Sequence, residues 1–332
     1  SAVYKRQPLS RAAALHRPAL SLGLAGRLVR AGRRDQALDR PVKGFAQWLT
    51  SRPYRVALLA AALALLPPLG IVGAGLLVLL SLQRGAAAGW GAAAIGGALL
   101  VGIGLAQGAD AIGALTAVLL FWGPALLLAE VLRRAGRLGP PMEAAAFGGI
   151  GIVLLWFALT GGAPTQLLDE FVRQMEPLLA GSVDPAQTRA LLALTLPGLL
   201  ALSLVLGAVV SLLLGMAWHA WLVSPGSLGQ AFRELRMSRA LGTIGLAVLA
   251  VAVVMSTSLW VSLAIAMSGV FVLQGLGMIH GLAKIRGWPG GVIIAMYVLL
   301  LFAMSLMAPM LATVGLADTW MDFRGRAARA AG

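Results

Sequence analysis

The sequence predicts an all-α fold, a polytopic transmembrane helix bundle of about 7–8 spans with a proline-broken first segment. Three observations carry this. From Val56 to Gly315, apolar stretches of membrane-crossing length follow one another almost without interruption, and the charged residues gather in short gaps between them. The composition is 59% hydrophobic and 11% charged, far from the roughly 25% charge of a soluble domain. A mean hydropathy of +0.89 leaves more apolar surface than a water-soluble core can hide.

A span takes roughly 20 apolar residues, because about 30 Å of hydrocarbon is crossed at 1.5 Å per residue. Lipid offers a bare amide no partner, which restricts spanning segments to helices or closed barrels. Long unalternated runs of Leu, Ala, Val and Gly favour helices. The chain has no cysteine. That removes disulfide frameworks, thiolate metal sites and cysteine nucleophiles, and leaves the redox compartment open.

Three regions follow from charge: a basic segment over 1–55, a transmembrane helical domain over 56–315 and a short polar tail over 316–332. The first holds twelve Lys or Arg, from Lys5 to Arg55, against only Asp35 and Asp39. This excess beside the first span predicts a cytoplasmic N-terminus. Between Ala19 and Arg34, Leu20, Leu24 and Leu28 recur at four-residue spacing with Arg27, Arg30, Arg33 and Arg34 around them. A basic amphipathic helix resting on anionic lipid is the simplest account. A pI near 11.7 with clustered arginines is also the electrostatic footprint of phosphate binding. Membrane proteins with basic inner loops reach such values without nucleic acid, which therefore ranks low among partners. An Arg-rich, acid-poor start also has the look of an organellar transit peptide, with no cleavage feature to decide it.

The first apolar segment, Val56 to Leu82, is too long for one plain helix and carries Pro67-Pro68 at its centre. Adjacent prolines remove two amide donors and clash with the preceding turn, so two half-helices are expected, about Val56 to Leu66 and Leu69 to Leu82. Further spans follow at about Ala86 to Ala106, Ala111 to Leu132, Ala144 to Thr160, Leu196 to Met216, Leu241 to Met255, Leu259 to Leu282 and Val292 to Val314.

The charged gaps test this topology. Arg133, Arg134 and Arg137 belong inside by the positive-inside bias, as do Arg233, Arg236 and Arg239, and also Lys284 and Arg286. The gap from Thr165 to Arg189 holds Asp169, Glu170, Glu176 and Asp184 against Arg173 and Arg189 and is the natural outer loop. These assignments agree only if the Pro67-Pro68 segment returns to the side it entered. The same logic leaves the C-terminal tail outside with Arg324, Arg326 and Arg329, which violates the bias once, so one gap is misassigned. Within the outer loop, Leu168, Phe171 or Val172, Met175 and Leu179 share a helical face, as in a helix resting on headgroups or a lid over a cavity.

Ionisable groups at membrane depth cost at least about 2.5–3.5 kcal/mol and are functional suspects by default. Asp110 follows Gly102, Gly104 and Gly108 and suits a solvated turn or an N-cap for the helix that starts at Ala111. Glu130 stands one turn before Arg133 and Arg134, the spacing of a local ion pair. His280, in the run Gln274 to Gly281, is the histidine to test first, although no second ligand stands at metal spacing. His219, between Trp218 and Trp221, suits an aromatic-belt anchor. Ser256, Ser258, Ser262 and Ser268 have no ordered base near them in sequence. No Gly-rich turn leads to Lys and Ser or Thr in the phosphate-cradling order. No enzymatic activity, cofactor or metal is therefore expected.

Glycine, 42 residues in all, recurs at small-xxx-small spacing, as in Gly85 with Gly89, Gly104 with Gly108 and Gly277 with Gly281. Close helix contact accounts for that. Broken helices have a second meaning in transporters, where freed backbone groups meet a substrate at mid-depth. On that ground Pro67, Pro68, Gln274, His280 and Asp110 are the substrate-binding candidates.

Two C-terminal stretches carry a resemblance: Gly269 to His280 around Gln274-Gly275-Leu276, and Gly315 to Arg324 with Asp318, Trp320 and Asp322. They resemble the YybS-like family of bacterial multi-pass membrane proteins, over residues 50 to 326. The basic head is outside the pattern. Asp318, Trp320, Asp322 and Arg324 are then expected to be interfacial or structural. The family is distantly similar to the substrate-capturing membrane subunits of energy-coupling-factor vitamin transporters, which dock a partner through small-residue faces such as Ala57, Ala60, Ala61 and Ala64 would provide. The resemblance implies a multi-pass protein of the bacterial inner membrane.

Two functions are expected to compete. One is a substrate-binding or transport component working with membrane or soluble partner subunits. The other is a non-transporting scaffold or assembly factor that recruits partners, or anionic lipid of the bilayer, through the basic N-terminus.

Overall fold

The computed structural model describes residues 43–66, 69–162, 166–179 and 184–331. Every regular element among them is an α-helix. The chain divides into two compact units between Ser51 and Arg52, the first contributing α1 over residues 43–50. The remaining helices belong to the second unit: α2 (Pro53–Ala64), α3 (Gly70–Arg84), α4 (Ala86–Ala106), α5 (Ala111–Ala135), α6 (Gly139–Thr160), α7 (Gln166–Leu179), α8 (Pro185–Val223), α9 (Ser227–Arg233), α10 (Arg239–Met255), α11 (Ser258–Arg286), α12 (Gly290–Phe302), α13 (Met304–Met321) and α14 (Phe323–Ala331). Five of these are long and apolar enough to cross a membrane: α4, α5, α6, α8 and α11.

The half-helices expected around the double proline are present as α2 and α3, while Pro67 and Pro68 themselves lie outside the described residues. Ala60 backbone packs directly on Gly73, so α2 and α3 form a hairpin that leaves at the end it entered. At 12 and 15 residues they are about 18 and 22 Å long, short of a full crossing. Next, α4 and α5 pair in reverse register, with Gly89 beside Leu126, Gly97 beside Val118 and Gly104 beside Ala114. That register brings the Arg133 guanidinium alongside Gly85.

The start of α6 lies against the start of α10, because Gly139 packs on the Arg236 carbonyl. The other end of α6 leads to the acidic segment. There Asp184 caps α8 by accepting from Ala186 N–H at 2.9 Å, and Arg189 pairs with Asp169 of α7 at 2.6 Å. Leu168 of α7 is buried and Phe171 and Val172 are half-buried, in line with that part of the predicted apolar face, while the side chains of Met175 and Leu179 lie outside the described residues. α8 spans 39 residues, much longer than the expected Leu196 to Met216 segment. Its Pro197 lacks the N–H that would reach the Ala193 carbonyl, and Ser258 Oγ at the start of α11 donates to that carbonyl at 2.8 Å. α8 runs alongside both α3 and α11 in the same direction. Ser211 Oγ donates to the Ile71 carbonyl at 3.1 Å, and Gly198 packs on Ser262 while Gly269 packs on Leu202. Val153, Ala201, Leu263 and Ala266 are buried together where α6, α8 and α11 meet.

One expected element is corrected. The single span from Val292 to Val314 is two helices, α12 and α13, reversed at Ala303. His280 meets Tyr297 at a ring distance of 5.7 Å, so α12 rises back along α11. α13 then descends parallel to α11, with Gly315 on Phe271 and Gly275, and Arg324 on Gly281. The tail is therefore not at the end that holds the acidic segment. It returns to the end that holds Arg233 and Arg236, where Asp322 pairs with Arg236 at 2.5 Å. Over 316–331, α13 runs on to Met321 and α14 follows at once.

All the cationic gaps of this unit thus share one basic end: Arg84, the Arg133–Arg137 cluster, the Arg233–Arg239 cluster, Lys284 with Arg286, and α14. The acidic segment occupies the opposite end. The contradiction in the charge pattern disappears once the last apolar segment is a hairpin.

Candidate functional site

Residues 233–238, the end of α9 and its link to α10, are held by side chains of three helices, α6, α11 and α14, at the basic end. Glu143 of α6 accepts from Ser238 N–H at 2.6 Å. Ser238 in turn caps α10 by accepting from Leu241 N–H at 3.2 Å. From α11, the Gln274 amide accepts from Met237 N–H at 3.1 Å and donates to the Gly315 carbonyl at 2.8 Å and to Thr319 Oγ1 at 3.2 Å. Gln274 is fully buried, which makes these bonds obligatory, because an unpaired amide in an apolar interior costs about 1–3 kcal/mol.

From α14, the Arg324 guanidinium donates to the Arg233 carbonyl at 2.6 Å and to the Leu235 carbonyl at 2.8 Å, and pairs with Asp318 of α13 at 2.6 Å. Both side chains of that pair are almost completely buried, 6% and 1% exposed. Burial pulls the Arg324 guanidinium's proton affinity down and the Asp318 charge raises it again; an arginine remains charged under that balance. Asp318 Oδ1 also accepts from Phe323 N–H at 3.1 Å. Asp322, in the left-handed region at φ 46°, joins α13 to α14 and accepts from Gly325 N–H at 3.0 Å. Its carboxyl is held below the ordinary carboxylate range, first by Gly325 N–H and further by Arg236 and Arg329, against an opposing desolvation.

Glycine makes this convergence possible. Gly275 and Gly315 face each other so closely that a Cβ on either would strike the backbone of the other helix. Only at that approach does Gln274 reach Gly315.

The predicted site residues do not form one site. Gln274, Asp318 and Arg324 meet in the clasp; Asp322 joins it through Arg236, and Trp320 packs against Gly242 at its edge. His280 lies two turns further along α11. Its Nδ1–H donates to the Leu276 carbonyl at 2.8 Å, which leaves Nε2 to accept from Tyr297 OH at 3.4 Å, and Phe232 stands edge-on to the ring. Asp110 is exposed at the opposite end and caps α5 through Gly113 N–H at 2.6 Å. Glu130 pairs with Arg133 at 3.1 Å and Arg134 at 2.8 Å, the local arrangement its spacing predicts. Ser268 donates to Ile265 of its own helix.

Glu143, Thr319 and the backbone of 233–238 escape a sequence reading. Their partners lie 37 to 95 residues away in the chain, and the only local signal is a carboxylate isolated in the first turns of an apolar helix. No protein-family model, curated protein or solved structure matches the chain.

Proposed function

We propose that this protein is a membrane-embedded scaffold whose basic end faces the cytoplasm and recruits partners, and that it does not itself carry a solute. The polar clasp supports this best. Inside the bundle, Gln274, Asp318 and Arg324 spend their hydrogen bonds on holding α11, α13, α14 and the 233–238 link together. A polar solute needs several convergent donors and acceptors at mid-depth, and these strong candidates are already engaged. The transport reading keeps the broken α2–α3 hairpin in its favour, and Pro67 and Pro68 remain its candidate contacts.

On this proposal α4, α5, α6, α8, α10 and α11 make six crossings, and the α2–α3 and α12–α13 hairpins enter and leave on the cytoplasmic side. An even number of crossings puts both ends of the bundle inside. The positive-inside bias is then met at every gap. We place the protein in a bacterial inner membrane and group it with the YybS-like family, whose two specific segments, Gly269 to His280 and Gly315 to Arg324, are the ones that meet in the clasp. The basic head before residue 43 lies outside the described residues and is the proposed recruiting arm.

Native mass spectrometry of protein purified from its own membranes tests the proposal, with the full chain compared against one lacking residues 1–42. A companion protein that stays with the full chain and is lost from the shortened one is the expected result. A polar small molecule retained at one per chain by both would overturn it.

A further inference from the structure

We infer that the cavity between α9, α11 and α14 holds the phosphate of an anionic phospholipid headgroup from the cytoplasmic leaflet. Its volume is about 740 Å3, and Gln230, Arg233, Glu234, Arg236, Lys284 and Arg324 line it. The charges in this wall are unevenly compensated. Arg236 is paired with Asp322 and Arg324 with Asp318, and the Glu234 carboxylate accepts from Gln230 Nε2 at 2.9 Å. Arg233 and Lys284 have no carboxylate partner among the described residues. Against the single Glu234 carboxylate, these two cations leave a net positive charge in one concave site.

A second observation points to the same ligand. Arg324 Nε is buried and makes no hydrogen bond, although the rest of its guanidinium is fixed by two carbonyls and Asp318. A buried donor without an acceptor is costly. Arg324 lines the cavity with one donor unspent, and an anionic oxygen that reaches Nε on a small shift of the guanidinium would be its strongest partner, since charge-assisted bonds are about twice as strong as neutral ones. The ligand's second half is indicated by the surroundings. Ile285 and Trp288, beside Lys284, are each 36% exposed. An exposed Trp next to Lys at a helix end marks the headgroup level of a bilayer, so the phosphate is presented on a lipid. Basic pockets between helices on the cytoplasmic side suit such headgroups.

The inference rests on the proposed orientation only for the choice of leaflet, and its test is done in detergent, where both ends are open. Purified full-length protein is titrated with phosphatidylglycerol or phosphatidylcholine and followed by native mass spectrometry. Inorganic phosphate at millimolar concentration is the separate arm. One phosphatidylglycerol per chain is expected, with little phosphatidylcholine. The pair Arg233→Gln and Lys284→Gln should weaken phosphatidylglycerol binding about 30-fold, two surface cations at about 1 kcal/mol each. The charge-preserving pair Arg233→Lys and Lys284→Arg should keep it, and Arg133→Gln with Arg134→Gln should leave it unchanged. Melting temperatures confirm that each variant is folded. Equal retention of both lipids, equal loss in the Arg133 and Arg134 variant, or a response to inorganic phosphate alone would overturn the inference. Such a failure would leave the scaffold proposal standing.

Discussion

Arg324 and Asp318 are the pair on which the basic end depends, because neither can lose its partner without stranding a charge in the interior. Arg324→Met should therefore destabilise the bundle by about 3–5 kcal/mol. The double change Asp318→Leu with Arg324→Met should recover part of that loss, because it strands no charge. Thermal melting in detergent checks both, and equal melting of the single and double variants would contradict a buried pair. Gln274→Leu removes the acceptor of Met237 N–H and should cost about 1–3 kcal/mol. Asp322 gives the clasp a pH response. Its carboxyl is depressed in the folded protein, so its contribution is whole above the ordinary carboxylate pKa of about 3.9 and fades as pH falls through the lower folded value. The stability gap between wild type and Asp322→Asn should thus be constant near neutrality and narrow below about pH 4. A gap that widens on acidification would contradict the assignment.

At the scale of the helix, close contact and repaired backbone decide what can change. Gly315→Ala drives a Cβ into the Phe271 carbonyl and should cost about 1–3 kcal/mol by overpacking. Gly207→Ala in α8 meets nothing within 4 Å and should be neutral or stabilising by up to about 1 kcal/mol. Similar effects of the two in a melting experiment would contradict the packing described. The helices themselves were largely legible from apolar runs, and so were the break between α2 and α3, the Asp110 cap and the Glu130 pairing. α12 and α13 were not. The Val292 to Val314 run has the length and hydropathy of one span, and its reversal at Ala303 carries neither Gly nor Pro at the turn. Pro309, inside α13, lies six residues past the bend.

At the scale of the bundle, the cationic gaps grouped from the sequence lie together at one end, and the last apolar segment is where the expected topology departs from the structure, as two helices in place of one span. Treating the last segment as a hairpin brings α14 back to Arg233 and Arg236, and every cationic gap of the bundle then lies on one face. The clasp itself was half legible, since Gln274, Asp318 and Arg324 stood out, while Glu143 and the 233–238 backbone are defined only by contacts across the fold. The most direct test of the account is the sidedness of its last helix. The chain's lack of cysteine allows single-cysteine labelling of intact cells with a membrane-impermeant maleimide. Gln107→Cys and Thr257→Cys should label from outside, and Arg137→Cys and Ala330→Cys only after permeabilisation. Labelling of Ala330→Cys in intact cells, with Arg137→Cys still protected, would contradict the account.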